Sequence, residues 1–230
     1  MEIFTIAESI LRDRNTFFTE IRDNKDVGNK IKRMLISCFV FFAIYGAVMG
    51  ASHGVLQTFS STIKLPLLFL ATLAICTPSL HFFYILFGAR QTLAQMVSLL
   101  LATISVTAVL LLSMAPITFF FLITGSSYDF FKLLNVVFFA LAGVLGVVFL
   151  RQGIVIATEG DGLKGTKRRH TIFFTWVLLY GFVGSQMAWT LSPFMGRPDL
   201  PFMVIFQGEG NFFVDVLRSL GDLLLNRFLY

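Results

Sequence analysis

Thr77, Pro78, His81 and Tyr84 fall within eight consecutive residues, TPSLHFFY, inside a run that otherwise belongs in hydrocarbon, KLPLLFLATLAICTPSLHFFYILFGAR. Together they supply a hydroxyl, an imidazole and a phenol. Pro78 has no N–H for the carbonyl of Ala74, so a helix through this run must bend or locally unwind there. At about 100° per residue, Thr77, His81, Tyr84 and Gly88 share one face within roughly 60°. A polar stripe beside a freed carbonyl is expected to face a helix bundle rather than lipid. Three chemistries fit it: a proton relay, a small-ligand site, or a metal or haem ligand. The competing role is structural, with a neutral His81 hydrogen-bonding across helices. A metal needs several ligands. The other histidines, His53 and His170, fall near opposite ends of apolar runs, so neither joins His81.

Other chemistry is absent from the pattern. Cys38 and Cys76 sit inside apolar runs, with neither zinc nor redox spacing, and read as small buried hydrophobes. No Asp or Glu stands in the central part of an apolar run, where proton- and ion-coupled carriers usually have one. There is no H-E-x-x-H. EGDGLKGTKRR has glycines but not the G-x-x-x-x-G-K-[ST] of a phosphate cradle. Asp199 and Glu209 stand isolated. No catalytic, cofactor-binding or metal-ligating residue is assigned, and the expected protein is not an enzyme and carries no cofactor.

The elements that must position these side chains are membrane spans. Of 230 residues, 56% are hydrophobic, 28 are Phe and only 13% are charged, with a mean hydropathy of +0.80. Soluble domains carry about 25% charged residues. Five apolar stretches are long enough to cross a bilayer, at 34–53, 65–86, 94–122, 130–150 and 171–191. Each must be helical, because hydrocarbon offers no partner to an open backbone. The expected architecture is an all-α polytopic bundle of five transmembrane helices, with interfacial amphipathic helices at both ends. Its divisions are a basic N-terminal segment (1–33), the transmembrane domain (34–192), and a Pro-rich loop with an amphipathic helix (193–230).

Charge sets the direction. Arg12, Arg14, Arg22, Lys25, Lys30, Lys32 and Arg33 precede the first stretch, Arg90 separates the second and third, and Arg151, Lys164, Lys167, Arg168 and Arg169 separate the fourth and fifth. Only Lys64, Lys132, Arg197, Arg218 and Arg227 fall on the other side. Excess Lys and Arg marks the cytoplasmic face, so the chain is expected in the cell (inner) membrane with its N-terminus cytoplasmic and its C-terminus external. Trp189, near the outer end of the fifth stretch, suits the interface. Basic residues that flank spans are explained by topology, not by a nucleic-acid partner.

Both ends read as amphipathic. Ile3, Ile6, Ile10, Phe17 and Ile21 recur at helical spacing among charges, as for a helix lying on the cytoplasmic leaflet. Near the C-terminus, Phe212, Phe213, Val216, Leu217, Leu220, Leu223 and Leu224 share one face, opposed by Asp215, Arg218, Asp222 and Asn226. Asn211 is the expected N-cap, Arg218 can pair with Asp215 and Asp222, and Arg227 must snorkel. Between the fifth stretch and the C-terminal helix, Pro193, Pro198 and Pro201 forbid regular helix. Phe202, Met203, Val204, Ile205 and Phe206 there need cover from lipid, bundle or partner.

Small residues mark expected helix contacts: Gly46, Gly50 and Gly54 in the first stretch, Ala142 and Gly146 in the fourth, Gly181 and Ser185 in the fifth, with Gln186 beside them. Candidate partner-binding residues are Phe202, Ile205, Phe212, Phe213, Val216, Leu220, Leu223 and Leu224.

KLPLLFLATLAICTPSLHFFYILFGAR, FKLLNVVFFALAGVLGVVFL and VGSQMAWTLSPFMGRPDLPF resemble the corresponding runs of the Yip-family membrane proteins and of a similar bacterial group, across most of 64–213. The resemblance implies five spans, a cytoplasmic N-terminus, a lumenal or external C-terminus and a role in membrane organisation through protein partners. It carries over no functional residue. The resulting expectation is an integral membrane scaffold or accessory subunit, contacting the lipid bilayer and other membrane proteins or a second copy. The rival is a small-solute or ion carrier working through the stripe of the kinked second helix.

Overall fold

The computed structural model describes residues 2–86, 91–125, 127–157, 166–196, 201–205 and 210–228. Gly88, Arg90, Arg197, Pro198, Asp199, Phe206, Glu209 and residues 158–165 lie outside these residues. So do the side chains of Ile3, Lys167, Arg168, Arg169, His170, Asn226 and Arg227. Among the described residues there are eight α-helices and no strand: α1 (Glu2–Arg12), α2 (Arg14–Arg22), α3 (Val27–Gly50), α4 (Val55–Leu86), α5 (Leu93–Ile123), α6 (Tyr128–Ala157), α7 (Thr166–Thr190) and α8 (Phe212–Phe228). A single 3-10 turn, Ala51–His53, links α3 to α4. Helices α3 to α7 carry five segments long and apolar enough to cross a membrane, so the protein is a multi-pass helix bundle.

The second span differs from its sequence reading. It begins at Val55, about ten residues before the first unbroken apolar run, and takes in Gln57, Thr58, Ser60, Ser61, Thr62 and Lys64. Gln57, Ser61 and Lys64 are buried against protein, so this polar turn of helix is not lipid-exposed loop. Pro66 and Pro78 both lie within α4.

Helix α3 is the central post, packed along α4 on one side and α5 on the other, with α6 against α5 and α7 against α4. Close approach depends on small residues. A Cβ at Gly46 would stand 2.4 Å from the Ser61 carbonyl oxygen, and one at Gly50 2.6 Å from that of Gln57. Gly146 presses on Thr107 Oγ1 of α5, and Ala142 is buried one turn away. Gly54 plays a different part: with φ +100° and nothing within 4 Å, it turns the α3–α4 hairpin.

Some polar groups inside the bundle are paired across helices. Tyr45 Oη donates to Asn135 Oδ1 at 2.7 Å and lies 3.3 Å from Thr118 Oγ1, tying α3 to α6 and α5. Cys38 Sγ and Ser105 Oγ share a hydrogen bond at 3.1 Å. Phe42 and Phe69 stack at 4.1 Å between α3 and α4.

At the N-terminal face, α1 and α2 depart from the expected leaflet-bound helix. Asp13 breaks them apart, its Oδ1 accepting from Thr16 N at 3.3 Å to cap α2. The break lets both helices turn their apolar side onto the bundle: Ile10, Phe18 and Ile21 are fully buried, and Ile6 and Phe17 nearly so. Phe18 lies against Gly153 of α6, where a Cβ would meet its ring at 2.6 Å, and contacts Phe149. Thr92 and Gln95 form a capping box at the start of α5. Gln95 Nε2 also donates to the carbonyls of Ile21 and Arg22, at 3.1 and 2.8 Å, satisfying the end of α2.

Candidate functional site

The stripe on α4 is divided by its surroundings. Thr77 and Tyr84 are buried in the bundle, His81 is half-buried, and Pro78 points outward. Thr77 Oγ1 donates back to the Leu73 carbonyl at 2.6 Å, and Trp176 Nε1 of α7 donates to the Cys76 carbonyl at 3.0 Å. His81 Nδ1 is buried with no hydrogen-bond partner among the described residues. Neither of the two cavities described here is lined by the stripe.

The chemistry-bearing groups gather elsewhere, at the C-terminal face. After α7 the chain leaves helical geometry and lies across the ends of α3 and α4. Four carbonyls of this segment accept hydrogen bonds from polar side chains. Ser52 Oγ donates to Met195 at 2.7 Å, Gln57 Nε2 to Pro193 at 2.6 Å, Ser61 Oγ to Phe194, and Lys64 Nζ to Val204 and, at 3.3 Å, to Pro193. Non-helical backbone near a membrane is tolerated where protein satisfies its polar groups, and α4 does so here. Gly196, with φ +69°, sits on the His53 ring, where a Cβ would be 2.4 Å away. The carbonyls face inward, while Phe202, Val204 and Ile205 leave their side chains exposed.

Helix α8 follows. Asn211 Oδ1 accepts from Val214 N at 3.1 Å, completing the expected N-cap. The helix docks on α6 and α7, with Asp215 and Ser219 reaching Lys132 of α6. Asp215 faces the bundle and forms an ion pair with Lys132, rather than lying on a solvated face with Arg218. Lys132 Nζ also donates to Ser219 Oγ at 3.1 Å. The side chains of Lys132 and Asp215 are only 13% and 18% exposed. The apolar face of the helix wheel is therefore split. Phe212, Val216 and Leu223 are half-buried, whereas Leu217, Leu220 and Leu224, about 100° further round, stay exposed, and Phe213, also exposed, stacks on Phe182 of α7.

Between α6 and α7 lies a slot of about 420 Å³. Leu65, Leu68 and Thr72 of α4 line its floor, Lys132, Asn135, Phe139 and Ala140 one wall, and Tyr180, Gly181, Gly184, Ser185 and Ala188 the other. Asp215 and Trp189 stand at its outer end. Gly181 and Ser185 thus face the slot. A Cβ at Gly181 would meet nothing within 4 Å, and one at Gly184 only Thr72 Cγ2 at 3.7 Å. The buried hydroxyls of Tyr180 and Ser192, which also line the slot, have no hydrogen-bond partner among the described residues.

Sequence reasoning missed the Lys132–Asp215 pair and the inward Lys64. The available signal was a lysine at the edge of one apolar run, Lys64, and inside the start of another, Lys132, where a cation requires a partner.

In comparisons with protein-family models, curated proteins and solved structures, the chain matches none.

Proposed function

We propose that this protein is a non-catalytic scaffold or accessory subunit of a membrane complex, and that it docks a transmembrane helix of a partner subunit in the slot between α6 and α7. The observation that supports this reading is the pair Gly181 and Gly184. Glycine inside a helix costs about 0.5–1 kcal/mol relative to alanine. Gly46, Gly50 and Gly146 offset that cost with close contacts inside the chain. Gly181 and Gly184 make no such contact. Small residues along a helix admit a neighbouring backbone, a role that a flexible acyl chain does not require. The partner role implied by the Yip-family resemblance agrees with this, and the cytoplasmic N-terminus inferred from the basic residues places the docking end outside.

The test is native mass spectrometry of the protein extracted in mild detergent, wild type against Gly181→Leu/Gly184→Leu. The wild type should carry a second polypeptide, and the variant should lose it with its thermal midpoint preserved. Equal recovery of the polypeptide by both, or a wild-type slot holding lipid only, defeats the reading.

A carrier is the second reading, favoured by the unpartnered Nδ1 of His81. It requires pH-dependent solute flux in liposomes that disappears in His81→Ala.

A further inference from the structure

A second cleft lies at the opposite face. It has a volume of about 440 Å³ and is lined by Arg14 and Asn15 of α2 and by Val148, Arg151, Gln152 and Val155 of α6. Arg14 Nη1 donates to Gln152 Oε1 at 2.8 Å, which holds its guanidinium on α6 in the cleft that Arg151 also lines. Arg14 and Arg151 are exposed, and neither forms an ion pair among the described residues.

The setting of Arg151 distinguishes it from an ordinary solvated cation. It lies six residues before the end of α6, at Ala157, hence about 9 Å along the axis from that end. Val148 and Val155, one turn before and one turn after it on the same side of the helix, are 50% and 64% exposed. Apolar surface therefore continues on both sides of the charge. A cation so placed needs an anion or a route to the interface. The guanidinium fork matches phosphate oxygens bidentately, and the valines offer a wall to a hydrocarbon chain. One molecule combines both features at a membrane boundary.

We infer that this cleft binds an anionic phospholipid, its phosphate held between Arg14 and Arg151 and one acyl chain lying along Val148 and Val155. The site is independent of the slot at the other face. It is a defined headgroup position rather than a diffuse attraction of basic residues to a charged leaflet.

The experiment is native mass spectrometry, with a thermal midpoint in parallel. Delipidated full-length protein in mild detergent is titrated with phosphatidylglycerol, phosphatidylcholine or soluble glycerol phosphate. Phosphatidylglycerol should remain bound as one adduct and raise the midpoint, whereas the other two should not. Arg14→Gln/Arg151→Gln should weaken retention by at least about tenfold, as expected from losing charge-assisted hydrogen bonds. Val155→Trp, which keeps both arginines but obstructs the apolar wall, should also weaken it and keeps the test open if the double variant fails to fold. Equal retention of the two lipids, a response to glycerol phosphate alone, or unchanged retention in the variants overturns the assignment.

Discussion

The two faces of the bundle handle charge and hydrocarbon in opposite ways. At the N-terminal face, α1 and α2 press Ile10, Phe18 and Ile21 dry against the spans and leave Arg12 and Arg14 outside. At the C-terminal face, Lys64, Lys132 and Asp215 turn inward, and Phe213, Leu217, Leu220 and Leu224 remain outside. Both sets of helices are amphipathic, yet one docks by its greasy side and the other partly by its charges. Amphipathicity states that two sides differ. Which side meets protein depends on what the bundle presents: Gly153 offers a flat apolar seat to Phe18, whereas Lys132 offers a cation that Asp215 and Ser219 satisfy.

Phe18→Ala tests the first docking mode most severely. A fully buried aromatic would be replaced by a void, and the expected loss is about 3–5 kcal/mol, read by equilibrium unfolding in detergent. Lys132→Met should cost about 3 kcal/mol, because it strands the Asp215 carboxylate in a poorly hydrated site. Lys132→Met/Asp215→Leu should recover most of that loss. Recovery would show that the second face needs matched partners rather than charge as such. Removing the Ser61 hydroxyl as Ser61→Ala should cost about 1 kcal/mol and speed proteolysis between 196 and 205. Gly181→Ala should be the mildest change, with stability unchanged or raised by up to about 1 kcal/mol. A large loss there would mean that α7 packs more tightly than the slot implies.

The spans were legible because runs of about 20 apolar residues need no long-range information. The start of α4 was not. Gln57, Ser61 and Lys64 look like loop until their acceptors, on residues 193–204, are known. Those acceptors lie 129–140 residues away, and local hydropathy carries no trace of such pairings. Asp215 misled for the same reason. On its own helix it belongs with Arg218 and Asp222, but Lys132 lies 83 residues earlier. The small residues were visible as stripes, while their uses were not: Gly46 and Gly50 meet α4, Gly54 makes a turn, and Gly181 and Ser185 face a slot. Thr77, Pro78, His81 and Tyr84 lie on α4, but which of them meets the bundle depends on neighbours such as Trp176 of α7, which no local pattern names.

The ammonium of Lys64, solvated by peptide oxygens of a segment made much later, imposes an order on biogenesis. When α3 and α4 enter the bilayer as a hairpin, residues 193 and 204 have yet to leave the ribosome, and the lysine must stay wet at the surface. Only after α7 has been inserted can the trailing segment fold over and draw that end of α4 down. A nascent chain arrested before residue 193 should therefore hold α4 higher in the membrane than the finished protein does, a difference that thiol labelling of a cysteine introduced near Lys64 would register.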